Sequence, residues 1–153
     1  MPTPEERLQE LGVSLPAPAT PVAAYVPCVR TGDLVYVSGQ VPMVDGKPSH
    51  LGHLGDDVDL EAGRAAARTC AVNVLAALKA ELGELSRVRR VVKVTGFVAS
   101  TADFTDHPKV VNAASELFGD VFGDAGRHAR AAVGVAALPL GVPVEVEAIV
   151  EVA

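Results

Sequence analysis

Residues 144–152, VEVEAIVEV, alternate along the chain. Val144, Val146, Ala148, Val150 and Val152 fall on one side, and Glu145, Glu147, Ile149 and Glu151 on the other. A period of two marks a half-buried strand with one apolar and one mainly polar face. Residues 129–138, just before it, are nearly all small or branched apolar residues. Pro-Gly turn chemistry between the two runs predicts a hairpin. A different period governs residues 60–82. Leu60, Gly63, Ala67, Cys70, Val74 and Leu78 recur at helical spacing, with Asp59 placed as an N-cap and Gly83 as a stop.

The same reading extends along the rest of the chain. Residues 4–12, PEERLQELG, predict a short amphipathic helix capped by Thr3, with Pro4 at its first position. Residues 14–21 are Pro-rich and extended. They read as an arm crossing the surface, because residues 1–21 are too few to fold alone. One domain then runs over 22–153. It opens with a strand within 22–30, a turn at Thr31-Gly32-Asp33, and a second strand at 34–37 followed by Ser38-Gly39-Gln40. A tight turn at 44–47 and a loop over 47–57 come next. Residues 88–100 hold too many branched side chains for a helix and predict a strand. A second helix, capped by Thr105 or Asp106, runs to about Phe122, and Gly123, Asp124 and Gly126 follow as a loop.

The order is β-β-α-β-α-β-β, an α+β fold with two long helices on one face of a sheet. The other sheet face needs a cover, or it exposes a large apolar patch, and a second copy of the chain is the simplest cover.

Composition narrows the function. A length of 153 residues suits one domain with a real core. With no Trp and few aromatics, packing rests on Val, Ala and Leu. A net charge of −6 argues against nucleic acid as the main partner, which needs a basic stripe, and Arg87, Arg89 and Arg90 make only a short cluster. Cys28 and Cys70 form neither a CxxC nor a zinc pattern. There is no signal-like segment and no membrane-length apolar run, so a soluble cytoplasmic protein is expected.

Arg130 is the one charge in its apolar strand, and alternation puts it on a face with Ala132 and Gly134. A guanidinium above so small a floor suits a planar carboxylate, because Arg offers a rigid fork of donors. The plainer reading is that Arg130 pairs with a neighbouring Glu or points to water at a strand end. Asn112 sits in a helix, where Asn is a poor former, so it either has a hydrogen-bonding task or lies on the surface. Tyr25 reads as a pocket residue or a strand aromatic, and Ser38 as a pocket residue or turn chemistry. Glu145 is, by pattern, one of three equivalent glutamates. His50 and His53, spaced HxxH near Asp56 and Asp57, form a weak metal pattern, and no metal site is assigned. His107 and His128 read as surface residues, with His128 near enough to Arg130 to border a pocket. A simple hairpin would place Glu145 opposite Ala137, about 20 Å along the strand from Arg130. The two then share a site only across a subunit boundary.

Taken together, several stretches resemble the Rid family of reactive-intermediate deaminases, also called the YjgF family. They are Tyr25-Val26, VSGQVP at 37–42, Asp103-Phe104 with Val111-Asn112 and Phe118, and AR-x-x-V-x-V-x-x-LP at 129–139 closed by VEVEAI. The resemblance covers residue 22 to the C-terminus. The N-terminal helix and the GHLG loop at 52–55 look like a longer bacterial branch. The resemblance implies a chorismate-mutase-like fold, a barrel-like homotrimer, and sites in clefts between subunits. It implies hydrolysis of enamines and imines such as 2-aminoacrylate to keto acids and ammonia, with no metal or organic cofactor. On it, Arg130 grips the substrate carboxylate and Glu145 positions the attacking water. Tyr25, Ser38 and Asn112 match pocket residues, and Ala132 stands where many members carry Cys. Gly134 is smaller than the usual residue, which suggests a wider pocket. Two other readings stand beside deamination. One is a non-catalytic trimer that binds a small carboxylate metabolite. The other is the endoribonuclease label attached to the family, which the acidic charge disfavours.

Overall fold

The computed structural model of the chain describes residues 1–18 and 23–153. Helix α1 (Pro4–Glu10) begins with a capping box: the Thr3 hydroxyl accepts from Glu6 N, and Glu6 returns a bond to Thr3 N. Strands β1 (Cys28–Thr31) and β2 (Leu34–Gln40) form a hairpin around Gly32. A small second hairpin, β3 (Met43–Val44) and β4 (Lys47–Pro48), turns at Asp45-Gly46, both with positive φ. Then come α2 (Leu60–Leu82), β5 (Val88–Ala99), α3 (His107–Phe122), β6 (Ala129–Val135) and β7 (Val144–Val152). Along the chain the main elements follow the expected β-β-α-β-α-β-β order after the expected α1, and the β3–β4 hairpin is inserted.

Several boundaries differ from expectation. The first strand starts at Cys28, and Val22 lies outside the described residues. Tyr25 therefore precedes the strand rather than sitting in it. Ser38-Gly39 is not a turn: β2 continues through it with a bulge, as the register passes from Val37↔Ala148 to Gln40↔Val146. The strand at 129–138 ends at Val135. Asp106 occupies the N-cap of α3, but its side chain makes no capping bond.

The predicted hairpin of residues 129–138 with 144–152 does not form. The sheet order is β1-β2-β7-β5-β6, with β6 parallel to β5 and β7 antiparallel to both β2 and β5. Residues 136–143 carry the chain over the end of β5, where Ala99 N donates to Pro143 O. The cause is burial. Val144, Val146, Val150 and Val152 are each no more than 1% exposed, and only a central strand covered by a helix hides such a row. The shorter β6, with Arg130 in it, takes the edge.

Both long helices cover one face. Helix α2 packs on β7 and β2, α3 on β5 and β6, and the two pack on each other. Asp59 caps α2 by accepting from Ala62 N at 2.8 Å, and Gly83 ends it with φ 82°. Close approach of α3 depends on Gly96 of β5, where a Cβ would overlap Val111. That contact sets the height of α3 over the sheet, and with it the position of Asn112. The other face is open and carries Val29, Tyr36 and Val133, each exposed.

Candidate active site

Arg130 leaves edge strand β6 on the helix side. Its NH1 donates to Asn112 Oδ1 at 2.7 Å and to Ser115 Oγ at 3.2 Å, and its NH2 donates to Pro108 O at 3.5 Å. All three partners lie on α3. No carboxylate pairs with Arg130 among the described residues. The plain ion-pair reading therefore does not hold: neutral oxygens aim the guanidinium and leave its charge uncompensated. Such a group suits an anionic ligand.

Behind this clamp lies a short relay. His128 Nδ1 is 2.6 Å from Gly126 O, and a carbonyl only accepts, so Nδ1 carries the proton. His128 Nε2 then accepts from the Ser115 hydroxyl at 2.9 Å, whose oxygen accepts from Arg130. Burial chiefly, and the Arg130 charge with it, hold the His128 pKa below its ordinary value, against the pull of the Gly126 carbonyl. The neutral ring is the form this relay requires. His128 is thus half-buried and bonded at both nitrogens, not a surface residue.

Glu145 and Tyr25 meet elsewhere, in a cleft of about 630 Å³ beside the β2 bulge. Gln40, Asn73 and Leu140 also line it, and Pro16, Ala17 and Pro18 of the N-terminal arm close one side. The Glu145 carboxylate lies over Gly39, where a Cβ would overlap Oε2. Burial first, and the neighbouring Glu147 second, push the Glu145 pKa up. Of the other two glutamates of β7, Glu147 is exposed and Glu151 pairs with Arg90 at 3.4 Å. Asn73 anchors the cleft wall through its amide to Val41 O and Met43 O. Ser38 does not face the cleft; its hydroxyl donates to Val26 O at 2.6 Å and ties down the segment that carries Tyr25.

Arg130 and Glu145 do not meet within the chain. The register runs Arg130↔Val94↔Ala148, so Glu145 is two strands and three residues away. Their Cα atoms are about 14 Å apart by strand geometry, in place of the hairpin figure of about 20 Å. The candidate residues therefore fall in two places: Arg130, Asn112 and Ala132 in one, and Tyr25 and Glu145 in the other, with Ser38 behind the segment that carries Tyr25.

The wide pocket expected at Gly134 is filled. A Cβ there would lie 2.5 Å from His107 Nε2 and 2.8 Å from Ser100 Oγ. His107, read as a surface residue, is half-buried, bonds Ser100 at 3.1 Å and stacks edge-on against Phe104. Sequence reasoning missed Ser100, His107, Ser115, Gln40 and Asn73. Only Ser115, three residues after Asn112 on one helix face, left a readable signal.

The HxxH histidines are engaged locally. His50 Nδ1 lies 2.7 Å from Ser49 Oγ, and His53 Nε2 lies 2.8 Å from Ala136 O. Asp57 accepts from His53 N at 2.7 Å. Among the described residues, no three of His, Cys, Asp and Glu converge as metal ligands. No helix among them is long and apolar enough to cross a membrane.

The family model described as "YjgF/chorismate mutase-like, putative endoribonuclease" matches residues 5–151. Protein TCP17 of Trypanosoma cruzi is 50% identical over 145 residues, covering 94% of this chain and 91% of its own. The 2-iminobutanoate/2-iminopropanoate deaminase of Salmonella typhimurium is 37% identical over 133 residues, covering 87% and 90%. A crystal structure of a protein of unknown function from Agrobacterium tumefaciens superposes with a TM-score of 0.92 at 51% identity, covering 98% and 92%. With matches that span nearly its whole length, and with the sheet order and two-helix layer described above, the chain belongs to the YjgF/chorismate mutase-like family.

Proposed function

We propose that this protein hydrolyses reactive 2-imino acids and their enamine tautomers to 2-oxo acids and ammonia, at sites formed between copies of the chain. The observation that carries the reading is the division of the candidate residues between two places. An anion clamp sits on one sheet edge, and a half-buried carboxylate with a raised pKa sits in a separate cleft. Neither completes a site alone. The open sheet face, with Val29, Tyr36 and Val133 exposed, supplies apolar surface for association, and a homotrimer is the assembly we propose. The Salmonella relative supports the substrate class by its name.

The chemistry asks for little. Arg130 of one copy holds the carboxylate, and an enamine becomes an imine when its terminal carbon takes a proton. Glu145 of the next copy accepts a proton from water as the water oxygen bonds to the imine carbon. Glu145 returns that proton to the nitrogen, the hydroxyl proton follows it, the C–N bond breaks, ammonia leaves, and the carbinol oxygen becomes the carbonyl. A carboxylate with a raised pKa suits this work, because it must take a proton and return it. Tyr25 closes the same cleft. Ser38 and Asn112 position Tyr25 and Arg130, and Ala132 forms the floor.

Ala132 brings no reactive group to the clamp, which favours a second reading: a trimer that binds a small carboxylate metabolite without turnover. The net charge of −6 counts against RNA as substrate. The test is ammonia and keto-acid release from 2-aminoacrylate, generated in place by a pyridoxal-phosphate dehydratase, with wild type and Arg130→Ala side by side. Acceleration by wild type that disappears in the variant supports the enzyme. Binding of the oxo acid without acceleration supports the second reading. Sedimentation equilibrium tests the assembly, and a monomer at working concentration refutes the shared site.

A further inference from the structure

Gly134 raises a question that the clamp does not answer. Its φ is not in the left-handed region, so no turn or bulge geometry demands glycine there. Glycine within a strand costs about 0.5–1 kcal/mol relative to alanine. The space it leaves is taken by two polar groups, Ser100 Oγ and His107 Nε2, which bond each other at 3.1 Å. Phe104 holds the imidazole edge-on at a centroid distance of 5.2 Å. Among the described residues, His107 Nδ1 has no hydrogen-bond partner. A half-buried ring with one nitrogen fixed and the other uncommitted retains capacity for a ligand.

The pair also lies in line with the clamp. Arg130, Ala132 and Gly134 are successive positions on one face of β6, so Arg130 and Gly134 are about 13 Å apart at Cα. The Arg130 side chain covers part of that interval, because it reaches Pro108 O, and Pro108 is bonded to His107. Ala132 lies between Arg130 and Gly134 on the same strand face, and the Cα spacing less the reach of the Arg130 side chain is on the order of the length of a short dicarboxylic acid. A cation holds one end and a hydroxyl–imidazole pair holds the other.

We propose that Ser100 and His107 form a second recognition point, which selects acids whose side chain ends in an oxygen function over those with a plain alkyl side chain. This rests on the reading of Arg130 as the carboxylate clamp and names the substrate class that the clamp serves. A terminal carboxylate or hydroxyl accepts from, or donates to, the pair. An alkyl end offers the pair no partner and leaves His107 Nδ1 unmatched, and a site built to hydrogen-bond a group discriminates against an analogue that lacks it.

The experiment compares two four-carbon oxo acids, 2-oxosuccinate and 2-oxobutanoate, by calorimetric titration of the full-length protein. The proteins are wild type, His107→Leu, Gly134→Ala and Arg130→Ala. Wild type is expected to bind 2-oxosuccinate about tenfold more tightly or better, as one hydrogen bond to a charged group gives. His107→Leu loses that preference and keeps its 2-oxobutanoate affinity within about twofold of wild type. Gly134→Ala, whose methyl displaces the pair while keeping the histidine, moves the preference the same way. Equal affinities in wild type, or equal losses for both acids in His107→Leu, overturn the proposal and leave the clamp standing. If wild type binds neither acid, or if Arg130→Ala binds both unchanged, the clamp itself is wrong and the proposal falls with it.

Discussion

Replacing Gly39 by alanine tests the Glu145 site without touching a charge. Gly39 lies in the β2 bulge, and its φ is not in the left-handed region, so alanine fits the backbone. The added Cβ meets one group: it would overlap Glu145 Oε2 and lie 2.9 Å from Cδ and 3.2 Å from Cγ. The obstacle is the far end of a flexible side chain, so Glu145 swings away and the strand stays. Forcing a side chain off its rotamer costs about 0.5–1.5 kcal/mol. Exchanging glycine for alanine where the backbone allows it returns about 0.4–1 kcal/mol. Stability is therefore expected to change by no more than about 1 kcal/mol, read as the urea midpoint. Activity is expected to fall by about 10²–10⁴, the usual contribution of a positioned proton-transfer group. Glu145→Gln should fall as far, and the double variant no further, because both remove one group from one place. The assay is 2-oxo acid release from imino acids generated by an amino-acid oxidase, with an unfolding curve for each protein. Near-wild-type activity in a well-folded Gly39→Ala would refute the role of Glu145. A stability loss beyond about 3 kcal/mol would show that the methyl strikes backbone, contrary to the geometry.

Asn112→Ala removes the 2.7 Å acceptor that aims Arg130, so KM should rise about 10–100-fold with kcat little changed, as for one hydrogen bond to a charged group. An unchanged KM would mean that Ser115 and Pro108 suffice. The raised Glu145 pKa sets a pH signature: its folded value exceeds the unfolded one, so stability is lost as pH rises from the ordinary carboxylate range through the raised value. Glu145→Gln should therefore match wild type in acid and exceed it in stability at neutral pH, and should lack the acid limb of the wild-type kcat/KM profile. His128 has the opposite dependence: its folded pKa is depressed, so its contribution is present above its ordinary value and is lost as pH falls below it, through the folded value. Unfolding curves across that window should drop for wild type and stay flatter for His128→Gln. Leu8, 3% exposed, seats α1 on the core, and Leu8→Ala should cost about 2–5 kcal/mol in urea unfolding. A loss under about 1 kcal/mol would show that α1 opens independently of the domain.

Patterns set by near neighbours were legible in the sequence. The bounds of α2 follow from Asp59, Gly83 and the stripe through Cys70 and Val74. The capping box at Thr3 and the alternation of β7 are equally local, since helix and strand periods depend on residues a few places apart. Arg130 stood out because a lone cation in an apolar strand must have a partner or a purpose. Asn112 was legible as a poor helix former, but its partnership with Arg130 was not.

Strand neighbours were decided by the tertiary structure. Alternation says that residues 144–152 form a strand, not that β2 and β5 flank it, because many pairings satisfy one local period. Burying the valine row under α2 selected the central place and sent β6 to the edge. That choice separated Arg130 from Glu145 and left the candidate residues in two places. The fate of Gly134 was decided in the same way. In sequence it is an absent side chain; in the fold its space belongs to Ser100 and His107, brought there from other segments. Periodicity, caps and an isolated charge are properties of short segments and survive in the sequence. What fills a space or stands opposite a charge depends on segments far apart in the chain, and only packing the whole core determines it.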